Sequence, residues 1–336
     1  MTCPRRSRQR SGSSDVKALV AQELTGPSGL LYAHVDDPAG GPDSVVVDVR
    51  AAGVCFPDLL LISGQYQLRM EPPFIPGTEV AGVVRSAPPG CGFTPGDRVF
   101  GPVLLGGYAE QAAIPLGSVL RTPTELDDGQ AVSLLVNYIT MYFALRRRAA
   151  VQPGETVLVL GSAGGVGTAA IQVAKALGAR VVAVVHRPEA TGFVAGLGAD
   201  VVLPMTPGWS KAVRENTGGH GADVVVDPVG GEPFDEAVRT LAVEGRLLVI
   251  GFAAGGIPTV KVNRLLLRNA GVLGVGWREY LMAHPGAQQE YADGVAQLVT
   301  AGLRPPAPQR FPLSQGREAL DSLANGGIFG KVVLEP

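Results

Sequence analysis

Three loops in the first third of the chain carry side chains able to do chemistry: Gly53-Val54-Cys55-Phe56-Pro57-Asp58, Gly64-Gln65-Tyr66 and Pro76-Gly77-Thr78-Glu79. A fourth loop, Gly161-Ser162-Ala163-Gly164-Gly165-Val166-Gly167, offers backbone in place of reactive side chains. Without Cβ atoms, Gly161, Gly164 and Gly167 allow a tight turn, close approach of the main chain to a pyrophosphate and tight helix packing. Gly165 and Val166 belong to the same turn, ahead of a helix whose first N–H groups and positive dipole end favour phosphate. The turn therefore reads as a dinucleotide cradle, and hydride transfer is the chemistry such a cradle serves. The next strand runs into His186-Arg187-Pro188. Where an NAD site places an acidic residue for the ribose 2′-hydroxyl, Arg187 suits a 2′-phosphate, so NADPH is the expected cofactor. The plainer alternative is a solvated loop arginine.

The elements that must position these loops follow from periodicity. Residues 157–160 form a short apolar run suited to a strand buried on both faces, residues 168–177 read as a helix stopped by Gly178, and residues 181–185 make a second strand. Further strands at 201–203, 224–226 and 247–250 alternate with helical stretches, which predicts a doubly wound parallel sheet of the α/β class. Ligands of such sheets lie beyond the carboxyl ends of the strands. Val229 and Gly230 follow one strand and Gly251 and Phe252 another, so they are expected to border the cofactor unless their glycines are simple turn formers. Residues 16–121 consist of short β-rich runs, such as 45–49 and 80–84, punctuated by Pro and Gly. A helical pattern occupies 132–148. Later come an edge-like β segment at 272–277, a helix at 288–301, a Pro-rich linker at 305–312, a helix at 315–324 and a last strand, Gly330-Lys331-Val332-Val333-Leu334, expected to return to the first domain. The division is thus a β-rich domain of residues 16–137 and 272–336 split around a dinucleotide domain of residues 138–271.

Bulk properties narrow the function. The 336 residues, 46% hydrophobic and 17% charged, suffice for two domains with sizeable cores. Arg5, Arg6, Arg8 and Arg10 against Asp15 make the first 15 residues net +3, which leaves about −5 on the body of a chain whose formal charge is −2. Such a body argues against a nucleic-acid partner. The first 15 residues read as a disordered tail without the apolar face of a targeting helix. No run approaches a membrane span. Cys3, Cys55 and Cys91 are too scattered for a disulfide framework, which suits a reducing cytoplasm. Asp58 and Glu79 read either as general acids or as structural carboxylates, and Cys55 as a nucleophile or a small buried apolar residue.

The order of these loops, ahead of the glycine turn and with a closing Gly-Lys-Val-Val-Leu strand, resembles the medium-chain dehydrogenase/reductase superfamily over residues 16–336. Within it the chain is similar to the zeta-crystallin-like NADPH:quinone oxidoreductase branch. The resemblance implies a GroES-like catalytic domain beside a Rossmann sheet, with the active site in the cleft between them. In the zinc alcohol dehydrogenases of that superfamily, a cysteine at the Cys55 position and a histidine at the Thr78 position help bind the catalytic metal. Here the histidine is missing, and Cys91 stands alone where the structural zinc needs four cysteines, so no metal is expected. Without a Lewis acid, hydride delivery to an activated acceptor replaces alcohol oxidation. A quinone or an unsaturated carbonyl needs orientation and hydrogen bonds to the oxygen that becomes negative. By resemblance, Tyr66 lines that cleft as a candidate donor, Thr140 lies near the nicotinamide, and Cys55 replaces an asparagine. The resemblance also implies a homodimer. Reduction of enones or enoyl thioesters, and NADPH binding without catalysis, are the alternative functions.

Overall fold

A computed structural model describes residues 15–336. The expected tail lies outside the described residues except for Asp15, which opens β1 (Asp15–Ala21). β1 pairs antiparallel with β2 (Leu30–Asp36). The strands β3 (Ser44–Val54), β4 (Glu79–Ser86), β5 (Arg98–Pro102), β6 (Gln111–Pro115) and β7 (Leu120–Arg121) build most of a seven-stranded sheet centred on the long β3. A parallel sheet follows from β8 (Thr156–Val159), β9 (Arg180–Val185), β10 (Val201–Pro204), β11 (Ala222–Asp227), β12 (Leu241–Val249) and β13 (Gly271–Gly274). Its order, β10-β9-β8-β11-β12-β13, is the doubly wound order of a Rossmann sheet. β14 (Gln309–Pro312) and β15 (Val332–Glu335) then rejoin the first sheet, β15 lying antiparallel to β3.

Two outcomes differ from the expectation. The division at 271/272 cuts through β13, which is the edge strand of the parallel sheet beside β12. The stretch read as a linker contains β14, an edge strand parallel to β15. Pro312 at its end removes an N–H that an edge strand can spare, and the proline-rich composition hid the strand.

Residues 128–148 bridge the domains as one irregular helix. Asp127 caps its start, accepting from the Gln130 N–H at 2.8 Å, while the Gln130 side chain accepts from the Asp127 N–H at 3.3 Å. Two π-helical stretches, Leu134–Ile139 and Phe143–Arg148, interrupt it. Such bulges shift the register of the side chains that follow. The helix is packed into a core shared with one face of the parallel sheet.

β8 is fully buried, as a central parallel strand should be. The chain leaves it through Gly161, whose φ of +55° suits glycine, and enters the helix Gly165–Ala176. That helix lies on small residues, including Gly167, Ala169, Ala170 and Ala174, which bring it close to the sheet. A Cβ on Gly167 would fall 2.3 Å from the Gly161 carbonyl oxygen, a backbone atom that cannot move aside. Gly167→Ala is expected to lower stability by about 1–3 kcal/mol; an unchanged midpoint in urea denaturation would contradict this packing.

Candidate active site

The cofactor-binding candidates converge at the carboxyl edge of the parallel sheet. Gly161, Gly164, Gly165, Val166 and Gly167 follow β8, Val229 and Gly230 follow β11, and Gly251 and Phe252 follow β12. The three loops are knit together: Ala253 N–H donates to the Pro228 carbonyl at 3.1 Å and Ala254 N–H to that of Val229 at 2.9 Å. Beside them, the Cβ position of Gly161 is 3.1 Å from the Val229 side chain. Asp227 shapes the second loop, its Oδ1 accepting from the N–H groups of Val229 and Gly230, both at 2.9 Å. Its Oδ2 is buried without a partner among the described residues, and burial raises its pKa.

The turn is open to a phosphate. No side chain caps the helix at Gly164, and the space where a Cβ of Gly164 would stand is free apart from the Gly161 carbonyl at 3.5 Å. Gly165 is needed for another reason: Asn137 of the bridging helix lies against it, its Nδ2 2.5 Å from where a Cβ would be. An uncapped helix N-terminus with glycine-only approach fits a dinucleotide pyrophosphate. Arg187, after β9, is half-buried in the structure. Its Nη2 donates to the Ile328 carbonyl at 3.0 Å, and its guanidinium stands 4.6 Å from the centre of the Phe329 ring. Next to Phe329, Gly330 N–H donates to the Ala163 carbonyl at 2.8 Å, so the C-terminal segment touches the glycine turn itself.

A second group of candidates lies in the GroES-like domain. Cys55 precedes the short helix Phe56–Ile62, and Asp58 within that helix accepts from the Cys55 N–H at 2.8 Å, the Tyr108 hydroxyl at 2.9 Å and the Thr78 hydroxyl at 3.2 Å. Asp58 is fully buried, and that burial, opposed by its donors, pushes its pKa up to about 6. These contacts tie it to the Cys55 loop, Thr78 and Tyr108. Cys55 Sγ donates to Glu79 Oε1 at 3.1 Å and accepts from Lys331 Nζ at 3.0 Å, and Lys331 also donates to Glu79. Glu79 Oε2 accepts from the Val136 N–H of the bridging helix at 3.0 Å. Burial, then Glu79, pushes the Cys55 thiol up, so Cys55 is a protonated member of this cluster and a poor nucleophile.

Tyr66 is half-buried against the catalytic-domain core. Its hydroxyl has no hydrogen-bond partner among the described residues, and desolvation raises its pKa, which keeps it a donor at neutral pH. Arg278 and Glu279, from the segment after β13, lie within its electrostatic reach. Thr140 sits between the two π-helical stretches. Asn137, Tyr108, Lys331 and Phe329 were not singled out as site residues in the sequence. Only Asn137 gives a local signal, a polar residue inside an apolar helical run.

Cys55, Asp58 and Glu79 come together, and among the described residues no group of three or more His, Cys, Asp or Glu could hold a metal ion. The cation in this cluster is the Lys331 ammonium. Lys331 and Glu79 are 6% and 0% exposed, so removing one strands the other as a buried charge. Lys331→Met is expected to cost about 3–5 kcal/mol in urea denaturation, with part recovered in the Lys331→Met, Glu79→Gln double variant. A single variant as stable as the parent would show that the pair is not what holds this cluster.

Known families match both parts of the chain. The zinc-binding dehydrogenase family matches residues 165–300, and the alcohol dehydrogenase GroES-like domain matches residues 41–124. Quinone oxidoreductase-like protein 2 of Bos taurus is 35% identical over 322 residues, covering 95% of this chain and 92% of its own. Acryloyl-coenzyme A reductase of Metallosphaera sedula is 32% identical over 340 residues, covering 91% and 96%. Among solved structures, a probable oxidoreductase from Mycobacterium abscessus superposes with a TM-score of 0.90 at 57% identity, over 97% of this chain and 100% of that one. The quinone oxidoreductase from Thermus thermophilus, solved also with NADPH, gives 0.80 at 35% identity over 95% and 100%. With the Rossmann order and the loops at its carboxyl edge, these matches establish that the chain belongs to the quinone oxidoreductase branch of the medium-chain dehydrogenase/reductase superfamily.

Proposed function

We propose that this chain is an NADPH-dependent reductase of quinones that works without zinc. The observation that carries the reading is the uncapped glycine turn with Arg187 on the neighbouring strand end, in a chain whose Cys55 cluster has the Lys331 ammonium as its cation. NADPH, when bound, supplies a hydride. The chain's own part is to hold and orient. The N–H groups opening the helix Gly165–Ala176 receive the pyrophosphate, and Arg187 receives the 2′-phosphate. Tyr66, with a free hydroxyl that stays protonated, donates to the acceptor oxygen on which negative charge develops. Thr140 borders the nicotinamide end of the cleft, and Asp58 sets the Cys55 loop through backbone and hydroxyl hydrogen bonds. The kinship with an acryloyl-coenzyme A reductase favours an enoyl thioester as the second reading.

Ile257, Val262, Leu266 and Leu267, which precede the edge strand β13 in the chain, expose large apolar side chains, and with that edge they support a homodimer. Among the described residues Cys55 and Cys91 are free thiols, which suits a cytoplasmic enzyme, and no helix is long and apolar enough to cross a membrane.

Steady-state NADPH oxidation with a naphthoquinone, an enone and an enoyl-coenzyme A checks the acceptor. The quinone is expected to give the highest kcat/KM, and Tyr66→Phe to lower it about a hundredfold. A tenfold preference for either alkene would reverse the assignment, and NADPH binding without turnover of any acceptor would make the chain a nucleotide-binding protein. Sedimentation velocity is expected to return twice the 34.7 kDa chain mass; a monomer at working concentration excludes the dimer.

A further inference from the structure

Arg187 is a cation held by neutral partners. Nη2 is bonded to the Ile328 carbonyl, and the face of the guanidinium lies over Phe329. Among the described residues no carboxylate ion-pairs with it. Other part-buried arginines meet an acid, as Arg98 meets Asp128 and Arg246 meets Glu155, whereas Arg304 and Arg317 are held by carbonyls alone. A fixed guanidinium whose charge is left unanswered is preorganised for an anion from outside, because its ordering cost has already been met.

Both partners of Arg187 come from the C-terminal segment that leads back to the first sheet. Ile328 is part of the catalytic-domain core, and Phe329 precedes Gly330 and β15, which pairs with β3. The Phe329 ring also stacks on Phe193 of the dinucleotide domain, with centroids 5.5 Å apart and planes at 23°. The Phe193 side chain in turn stands 3.3 Å from where a Cβ of Gly330 would be, so the segment is fitted closely at that point. One aromatic residue thus flanks the Arg187 guanidinium, and four of its five N–H donors remain outside the Ile328 bond.

We propose that Phe329 is a specificity-determining positioning residue, which seats Arg187 so that selection of a 2′-phosphorylated over a 2′-hydroxyl dinucleotide depends on the catalytic domain. This rests on Arg187 reading the 2′-phosphate. Phe329 acts through the arginine: the ring fixes the guanidinium plane by cation–π attraction and leaves its outer edge for the phosphate oxygens.

The test is the pair of dissociation constants for NADPH and NADH, read by nucleotide fluorescence, for the parent and for Arg187→Ala, Phe329→Ala, Phe329→Leu, Phe329→Tyr and the Arg187→Ala, Phe329→Ala double variant. Phe329→Ala is expected to weaken NADPH about tenfold and to leave NADH within about twofold. Phe329→Leu, which keeps the bulk that folding needs, is expected to behave in the same way, and Phe329→Tyr to restore the parent ratio. In the Arg187→Ala background, Phe329→Ala is expected to change the ratio no further. Equal weakening of both nucleotides by Phe329→Leu would mean a structural role and overturn the proposal, as would tighter NADPH binding, the result expected if Phe329 competes with phosphate for the arginine. If Arg187→Ala lowers the NADPH preference and both Phe329→Ala and Phe329→Leu leave it intact, the proposal fails and the cofactor reading stands. If Arg187→Ala leaves the ratio unchanged, the cofactor reading fails and takes the proposal with it.

Discussion

Glu79 is a carboxylate with no solvent exposure, and four separate pieces of chain meet on it. It begins β4, takes hydrogen bonds from Cys55 and Lys331, and holds the Val136 N–H of the bridging helix. Its methylene and carboxyl atoms fill the space beside Gly53, where a Cβ would stand 2.1 Å from Oε1. A charge in such a place is tolerable only when it is neutralised and its oxygens are occupied. That requirement draws the end of β3, the start of β4, the approach to β15 and the bridging helix to one point. The buried cluster is the consequence.

The same cluster explains how a cysteine-bearing member of a family with zinc-binding relatives arranges its charges. Cys55 stands between a carboxylate and an ammonium and remains a thiol. Burial opposes the Lys331 ammonium, but its hydrogen bonds to Cys55 and Glu79, together with the Glu79 charge, more than compensate, so the lysine stays charged. The cluster is therefore a fixed hydrogen-bonded surface, and proton-accepting chemistry at Cys55 is disfavoured.

The dinucleotide cradle could be read from the chain because all of its parts are neighbours in sequence. Strand, turn and helix occupy residues 156–176, and the glycine spacing is visible there without knowledge of the fold. The later cofactor loops were legible for a similar reason, since each follows a strand that its own apolar run announces. Lys331 was not, because its partners Cys55 and Glu79 are 276 and 252 residues away. Phe329 looked like any aromatic before a closing strand, and only folding brings it to Arg187. The strand β14 was concealed by prolines, and the π-helical stretches carry no composition that distinguishes them from ordinary helix. The convergence of three donors on Asp58 was hidden for the same reason as Lys331, since two of them come from Thr78 and Tyr108, 20 and 50 residues along the chain.

The hydrogen bond from the Gly330 N–H to the Ala163 carbonyl joins the two domains through main chain alone. Any widening of the cleft at this point must break it, whereas the neighbouring Val332, Val333 and Leu334 lie in the ladder with β3 and stay paired. In deuterium exchange these amides therefore keep different clocks. The ladder amides report opening of the sheet, while the Gly330 amide counts the much smaller excursions in which the domains part. Side-chain substitution leaves this backbone probe in place, so the breathing of the cleft can be followed through one amide even in variants that alter every group around it.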